Sequence, residues 1–151
     1  MIKSEAQLER TKTQIDGFKQ AMAQLQKNLV GLTEVVLNAV IASHQGMIAK
    51  LEFEIAEYED TKRGVIQLPR LASPRDFGVH LCKFRIALGI SQEQLAEMVG
   101  VSRQTINRHE EQEYQLASVD LITRVSEVLG LLPEIHVKHK TLDVKQPASA
   151  A

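Results

Sequence analysis

Between Ser102 and Arg108 the chain sets Ser102, Arg103, Gln104, Thr105, Asn107 and Arg108 around a lone apolar residue, Ile106. The chemistry available to such a group is hydrogen bonding to polyanions and to flat heterocycles. Arginine offers a planar fork that matches a phosphate or the O6/N7 edge of guanine. Glutamine and asparagine can pair in bidentate fashion with adenine, and hydroxyls reach either bases or phosphates. Carried on one helix, these side chains would suit the edges exposed in a DNA major groove.

Such side chains need a rigid carrier, and the surrounding segment, QEQLAEMVGVSRQTINRHEE, supplies one. Leu95, Val99, Val101 and Ile106 are spaced to pack two short helices across each other, and Ala96 is small where they approach. Gly100 falls where the turn between them needs a left-handed backbone. This spacing predicts a helix-turn-helix, with the polar group on its second helix. The preceding helix is predicted over Pro74–Leu88, with Phe77, Leu81, Phe84 and Leu88 on its buried stripe and Gly89 as its cap. Ser91 and Gln94 form a capping box for the next helix. A further helix from Ser118 buries Leu121, Ile122, Val125, Val128 and Leu129 and ends at Gly130. Four short helices around one core are therefore expected.

Upstream the pattern changes. Leu8, Ile15, Met22 and Leu29 recur every seven residues, with Phe18, Leu25 and Leu32 as a second series, the mark of a helix with a narrow packing seam. Ser4 and Gln7 offer a capping box at its start. Asn28, Gly31 and Thr33 suggest a break, with Thr33 capping a second helix. That helix carries its seam on Leu37, Val40, Ile41, His44, Ile48, Leu51, Ile55 and Tyr58. An antiparallel hairpin is the simplest outcome, and one continuous helix through Gly31 is the alternative. One glycine and two prolines in KRGVIQLPRLASP mark a boundary. The expected organisation is a helical hairpin for oligomerisation or partner binding over 1–62, a linker over 63–73, the helix-turn-helix domain over 74–131, and a short edge strand with a disordered tail over 132–151. The fold class is all-α apart from that strand.

Bulk composition sets limits. The chain has 151 residues, is 44% hydrophobic and 25% charged, and carries a net charge of -1. That near-neutral balance is awkward for a DNA binder, whose affinity comes largely from neutralising phosphates. It requires Arg75, Lys83, Arg103, Arg108 and Arg124 to gather on one face. No apolar stretch has the length of a membrane span or a secretory signal, so a cytoplasmic, nucleoid-associated protein is expected. The single cysteine, Cys82, excludes an internal disulfide and a multi-cysteine zinc site.

At FRIALGISQEQLAEMVGVSRQTINRHE the sequence closely resembles the Xre family, the lambda-repressor-like helix-turn-helix regulators of phages and bacteria, over about Pro74–Gly130. The resemblance implies that Arg103, Gln104 and Arg108 read bases. It further implies that Ser102 and Asn107 make phosphate or secondary base contacts, and that Gln92 contacts a phosphate or a base. It also implies a structural pair between Arg85, late in the first domain helix, and Glu110, ending the recognition helix. Two departures stand out. His109 replaces the usual aromatic or aliphatic residue before that glutamate, and Glu111, Gln112, Glu113 and Tyr114 replace the usual Asn-Gly loop. The chain is similar to a subgroup of Xre-like bacterial proteins, some grouped with antitoxins, that share an N-terminal helical segment ending in EIAEYE and a tyrosine in this loop.

Competing chemistry is weak. His109-Glu110 starts like a metalloprotease helix, but HEEQE has no second histidine one turn later to hold zinc. His136 and His139 would point to opposite faces of a strand, His44 fits a packed neutral histidine on its seam, and Cys82 fits a half-buried, inert thiol. There is no phosphate-binding glycine loop or nucleophile elbow. The sequence thus implies a non-enzyme without cofactor or metal, binding double-stranded DNA. The leading expectation is a transcriptional regulator, a repressor, acting as a homodimer on an inverted repeat. The alternative is an antitoxin or adaptor that holds a protein partner, such as a toxin, on the N-terminal helices.

Overall fold

The computed structural model describes residues 1–27, 33–68 and 76–131. Every regular element among them is helical: α1 (Glu5–Lys27), α2 (Glu34–Lys62), α3 (Phe77–Ala87), α4 (Gln92–Val99), α5 (Arg103–Glu111) and α6 (Val119–Val128). The expected C-terminal strand, the Asn28–Gly31 break, Pro74 and Arg75 lie outside the described residues.

Helices α1 and α2 run antiparallel. Glu5, at the start of α1, meets Tyr58 and Lys62 at the end of α2. Midway, Phe18 of α1 sets its ring edge-on to His44 of α2 at 5.4 Å. Leu8 and Ile15 of α1 and Ile48 and Tyr58 of α2 are buried, so the seven-residue seams face each other. His44 is tied down through Nδ1 to the Val40 carbonyl at 2.8 Å. Thr33 stands at the head of α2 in an extended conformation, but its side chain makes no capping hydrogen bond. Ser4 caps α1 only in part. Its hydroxyl accepts from the Gln7 N–H at 3.3 Å, whereas the Gln7 side chain accepts from the N–H of Lys3 rather than closing the box on Ser4.

Helices α3 to α6 enclose a core of Leu81, Cys82, Leu95, Val99, Ile106, Tyr114, Leu121, Val125 and Leu129. Each fully buried aliphatic side chain of this kind contributes ~1.5–3 kcal/mol. The Ser91–Gln94 capping box is complete, with Ser91 Oγ accepting from the Gln94 N–H at 3.1 Å and Gln94 Oε1 accepting from the Ser91 N–H at 2.8 Å. Gly100 closes α4 at φ +75°. That left-handed residue lets the chain turn sharply into α5. Cys82 is fully buried rather than half-buried, and burial, reinforced by the charge of Glu110, pushes its thiol up to about 12.

The hairpin and the four-helix unit do not stand apart. Ile2, Leu8 and Tyr58 from the hairpin share one apolar cluster with Ile86 of α3. Lys83 of α3 is buried, with its ammonium 2.7 Å from Glu57 of α2 and 2.6 Å from the Gln67 carbonyl. The expectation that Lys83 joins a DNA-facing basic patch is therefore corrected. Burying a lysine requires a carboxylate partner, and α2 supplies it.

Candidate nucleic-acid interface

Ser102 starts the second motif helix. Its backbone is extended, and its hydroxyl accepts from the Thr105 N–H at 3.1 Å and lies 2.8 Å from Thr105 Oγ1. Both hydroxyls are thus used first to begin α5. Over the next two turns the helix divides into faces. Ile106, His109 and Glu110 point inward and are buried, whereas Arg103, Gln104 and Arg108 are exposed. Asn107 is half-buried and donates to Glu111 Oε1 at 3.0 Å, which engages the carboxylate beside this surface.

The exposed side does not form one continuous patch. Ser102, Gln104, Thr105, Asn107, Arg108 and Glu111 line a shallow concavity of about 380 Å³. Arg103 turns instead toward a second hollow of about 430 Å³. There it joins Gln92 and Glu93 at the start of α4, and Lys3, Glu5 and Lys62 from the base of the hairpin. Of the residues singled out from the sequence, five therefore converge on one hollow, and Arg103 and Gln92 on the other.

Behind α5 a buried polar cluster fixes the helix. Arg85 Nε donates to Glu110 Oε1 at 2.6 Å and Nη2 to Oε2 at 2.8 Å, a bidentate pair at 3% and 0% exposure. The guanidinium also donates to the carbonyls of Ile90 at 2.7 Å and Lys3 at 2.8 Å. Burial opposes its charge, but the hydrogen bonds and charge of Glu110 outweigh that, and its pKa stands above the ordinary value. Gln92 Nε2 adds a third donor to Glu110 Oε2 at 2.9 Å, and Gln92 is only 8% exposed. Its amide is thus engaged inside the protein. The Lys3 ammonium closes the cluster on the Glu110 carbonyl. No spacing in the sequence ties Lys3 to residues more than eighty positions away, so its role there was not legible.

The loop after α5 is held by shape. Glu113 and Tyr114 adopt φ of +51° and +57°, the region usually left to glycine or asparagine. Gly78 of α3 makes room for them. A Cβ at that position would lie 1.7 Å from the Glu113 carbonyl oxygen. Tyr114 is buried and stacks on His109 with ring centroids 6.1 Å apart, and among the described residues neither Tyr114 Oη nor His109 Nδ1 has a hydrogen-bond partner. Burial pushes the phenol well above its usual range, and burial, then the nearby Arg108 charge, lowers the His109 imidazole.

Residues 83–135 match a family model described as helix-turn-helix. The match supports the resemblance of this segment to the Xre, lambda-repressor-like helix-turn-helix regulators, and it does not include the hairpin. Comparison with curated proteins and with solved structures gave no match. Among the described residues no helix is long and apolar enough to cross a membrane.

Proposed function

We propose that the chain is a sequence-specific transcriptional regulator that represses by occupying an inverted-repeat operator as a homodimer, in the cytoplasm at the nucleoid. The observation that carries this reading is the division of α5. Its inner face is locked by Ile106 and the Glu110 cluster, while Arg103, Gln104 and Arg108 remain exposed on a rigid support. Such a helix can enter a major groove without first reorganising, which favours base readout over loose electrostatic adhesion. Arg103, Gln104 and Arg108 read base edges in this account, and Ser102, Thr105 and Asn107 position the helix against phosphates. Gln92 enters twice, as a contact at the start of α4 and as a brace on Glu110.

The test is titration of operator and random duplexes with Arg103→Ala and Gln104→Ala. Each substitution is expected to weaken operator binding by ~1–3 kcal/mol and to relax preference at one base position, with the melting temperature unchanged. Equal losses on both duplexes would place these residues among the phosphate contacts and overturn the base-reading assignment.

A further inference from the structure

Lys3 bonds to three different helices. Its N–H donates to Gln7 Oε1 of α1 at 2.7 Å, its carbonyl accepts from Arg85 Nη2 of α3 at 2.8 Å, and its ammonium donates to the Glu110 carbonyl in the last turn of α5. The residue is only 7% exposed, and Ile2 beside it is buried with Leu8, Tyr58 and Ile86. Burying an ammonium is unfavourable unless its site answers the charge. Here the site is the C-terminal end of a helix, where the carbonyl dipoles point outward. The same Glu110 carbonyl accepts from the Glu113 N–H at 3.0 Å, so the ammonium closes α5 at the point where the chain enters the loop packed on Gly78. The other buried lysine between hairpin and head behaves differently. Lys83 bonds to Glu57 of α2 and to the Gln67 carbonyl rather than to α5.

We infer that Lys3 is a positioning residue for the recognition helix, and that through it the seating of the Ile2–Lys3 segment sets DNA affinity, which rests on the base-reading role proposed above for α5. Base readout needs its side chains held within about 0.5 Å of their productive geometry. Helix α5 has nine residues and a length of ~13 Å, so it moves as one rod, and a shift at Glu110 is felt at Arg103. Lys3 and Arg103 also line the same hollow, so DNA held by Arg103 lies beside the seated segment. Seating is separable from folding of the head. The buried core of α3 to α6, built on Leu81, Leu95, Ile106 and Val125, includes neither Ile2 nor Lys3. With the segment lifted, Arg85 and Glu110 still pair, but α5 loses the ammonium at its end and Arg85 loses an acceptor. A hairpin ligand that favours the lifted state lowers DNA affinity, and DNA in turn favours the seated state.

The test uses the full chain, a duplex that the wild type selects from a random-sequence pool, and a scrambled duplex of equal length. Lys3→Met keeps the apolar stem and removes the ammonium, while Lys83→Met removes the lysine that does not bond to α5. Binding is titrated at a temperature where circular dichroism shows all three proteins folded. Lys3→Met should bind the selected duplex ~10-fold more weakly and the scrambled one within ~2-fold of wild type, and Lys83→Met should stay within ~2-fold on both. Saturating the wild type with the selected duplex should slow exchange of the Lys3 amide hydrogen ~10-fold, an arm that stands even where Lys3→Met does not fold. Selected-duplex binding by Lys3→Met as tight as that of the wild type would overturn the positioning role, and so would an equal loss in Lys83→Met, the mark of general loosening. Equal losses on both duplexes would overturn it by making Lys3 a phosphate contact. Exchange at Lys3 unchanged by DNA would overturn control through seating. A pool from which the wild type enriches no sequence would overturn the regulator reading itself, a failure distinct from these.

Discussion

Four polar contacts converge on Glu110: Arg85 twice, Gln92 once, and Lys3 at its carbonyl. Removing one member of a buried ion pair leaves the other charged and desolvated. Glu110→Ala is therefore expected to lower stability by ~3–5 kcal/mol, measured by denaturant unfolding. Operator affinity should persist at temperatures where the variant is folded. An unchanged unfolding midpoint with lost DNA binding would reverse the role given to this pair. His109, its neighbour, sets a pH dependence. Its folded pKa is lowered from the ordinary 6.5, first by burial and then by Arg108, so the unfolded chain binds the proton more readily. The associated stability is complete above ~6.5 and declines as pH falls below it. His109→Phe keeps a ring against Tyr114 and should flatten that decline in melting temperature between pH 7 and 5. A parallel decline in both proteins would assign it to other groups. At this scale the sequence was informative only where a motif already supplied the context. Arg85 and Glu110 could be named together through family resemblance, but Lys83 looked like any surface cation. Whether a lysine meets phosphate or a buried carboxylate depends on which helix packs over it, and here that is α2 through Glu57.

Helices are the level at which sequence spacing is most direct. The 3.6-residue period decides which side chains share a face, and caps decide where a helix stops. The Ser91–Gln94 box and Gly100 delimit α4, and the seven-residue series align α1 with α2. Contacts made by a bare backbone are invisible to such patterns. Gly78 lies within α3, where periodicity alone would accept alanine, yet its Cα faces the Glu113 carbonyl. Gly78→Ala is expected to destabilise the domain by about 3 kcal/mol despite its better helix propensity, because a Cβ 1.7 Å from that oxygen forces helix and loop apart. Thermal unfolding checks it, and a variant as stable as the wild type would mean that the loop yields at little expense. The attachment of hairpin to domain was hidden for a related reason. Proline and glycine between Lys62 and Pro74 report where the helical pattern is interrupted, not whether the flanking elements touch. Ile2, Tyr58 and Ile86 touch across that interruption.

Over the whole molecule, charge limits what one copy can do with DNA. The chain has 18 lysines and arginines against 19 acidic residues, and Lys3, Lys83 and Arg85 are buried inside the fold. Arg124 is partly engaged by Asp120 and the Val99 carbonyl. On α5 itself only Arg103 and Arg108 are basic apart from the buried His109. Two arginines on one short helix give little counterion release, so binding of useful strength requires two heads on one duplex. Each head is joined to its own hairpin by Lys83–Glu57 and the Ile2–Ile86 cluster, so two copies paired through their hairpins would hold their heads at a fixed separation. A rigid dimer tolerates changes in half-site spacing only in whole turns of the duplex. On an operator with its half-sites moved apart by ~5 base pairs, the heads should face opposite sides of the DNA and affinity should fall ~100-fold or more. A spacer of ~10 base pairs restores the facing but stretches the separation, so recovery should be partial. Gel-shift titration of the three spacings measures this, and equal affinity at all of them would show that the heads swing independently of the hairpin pair.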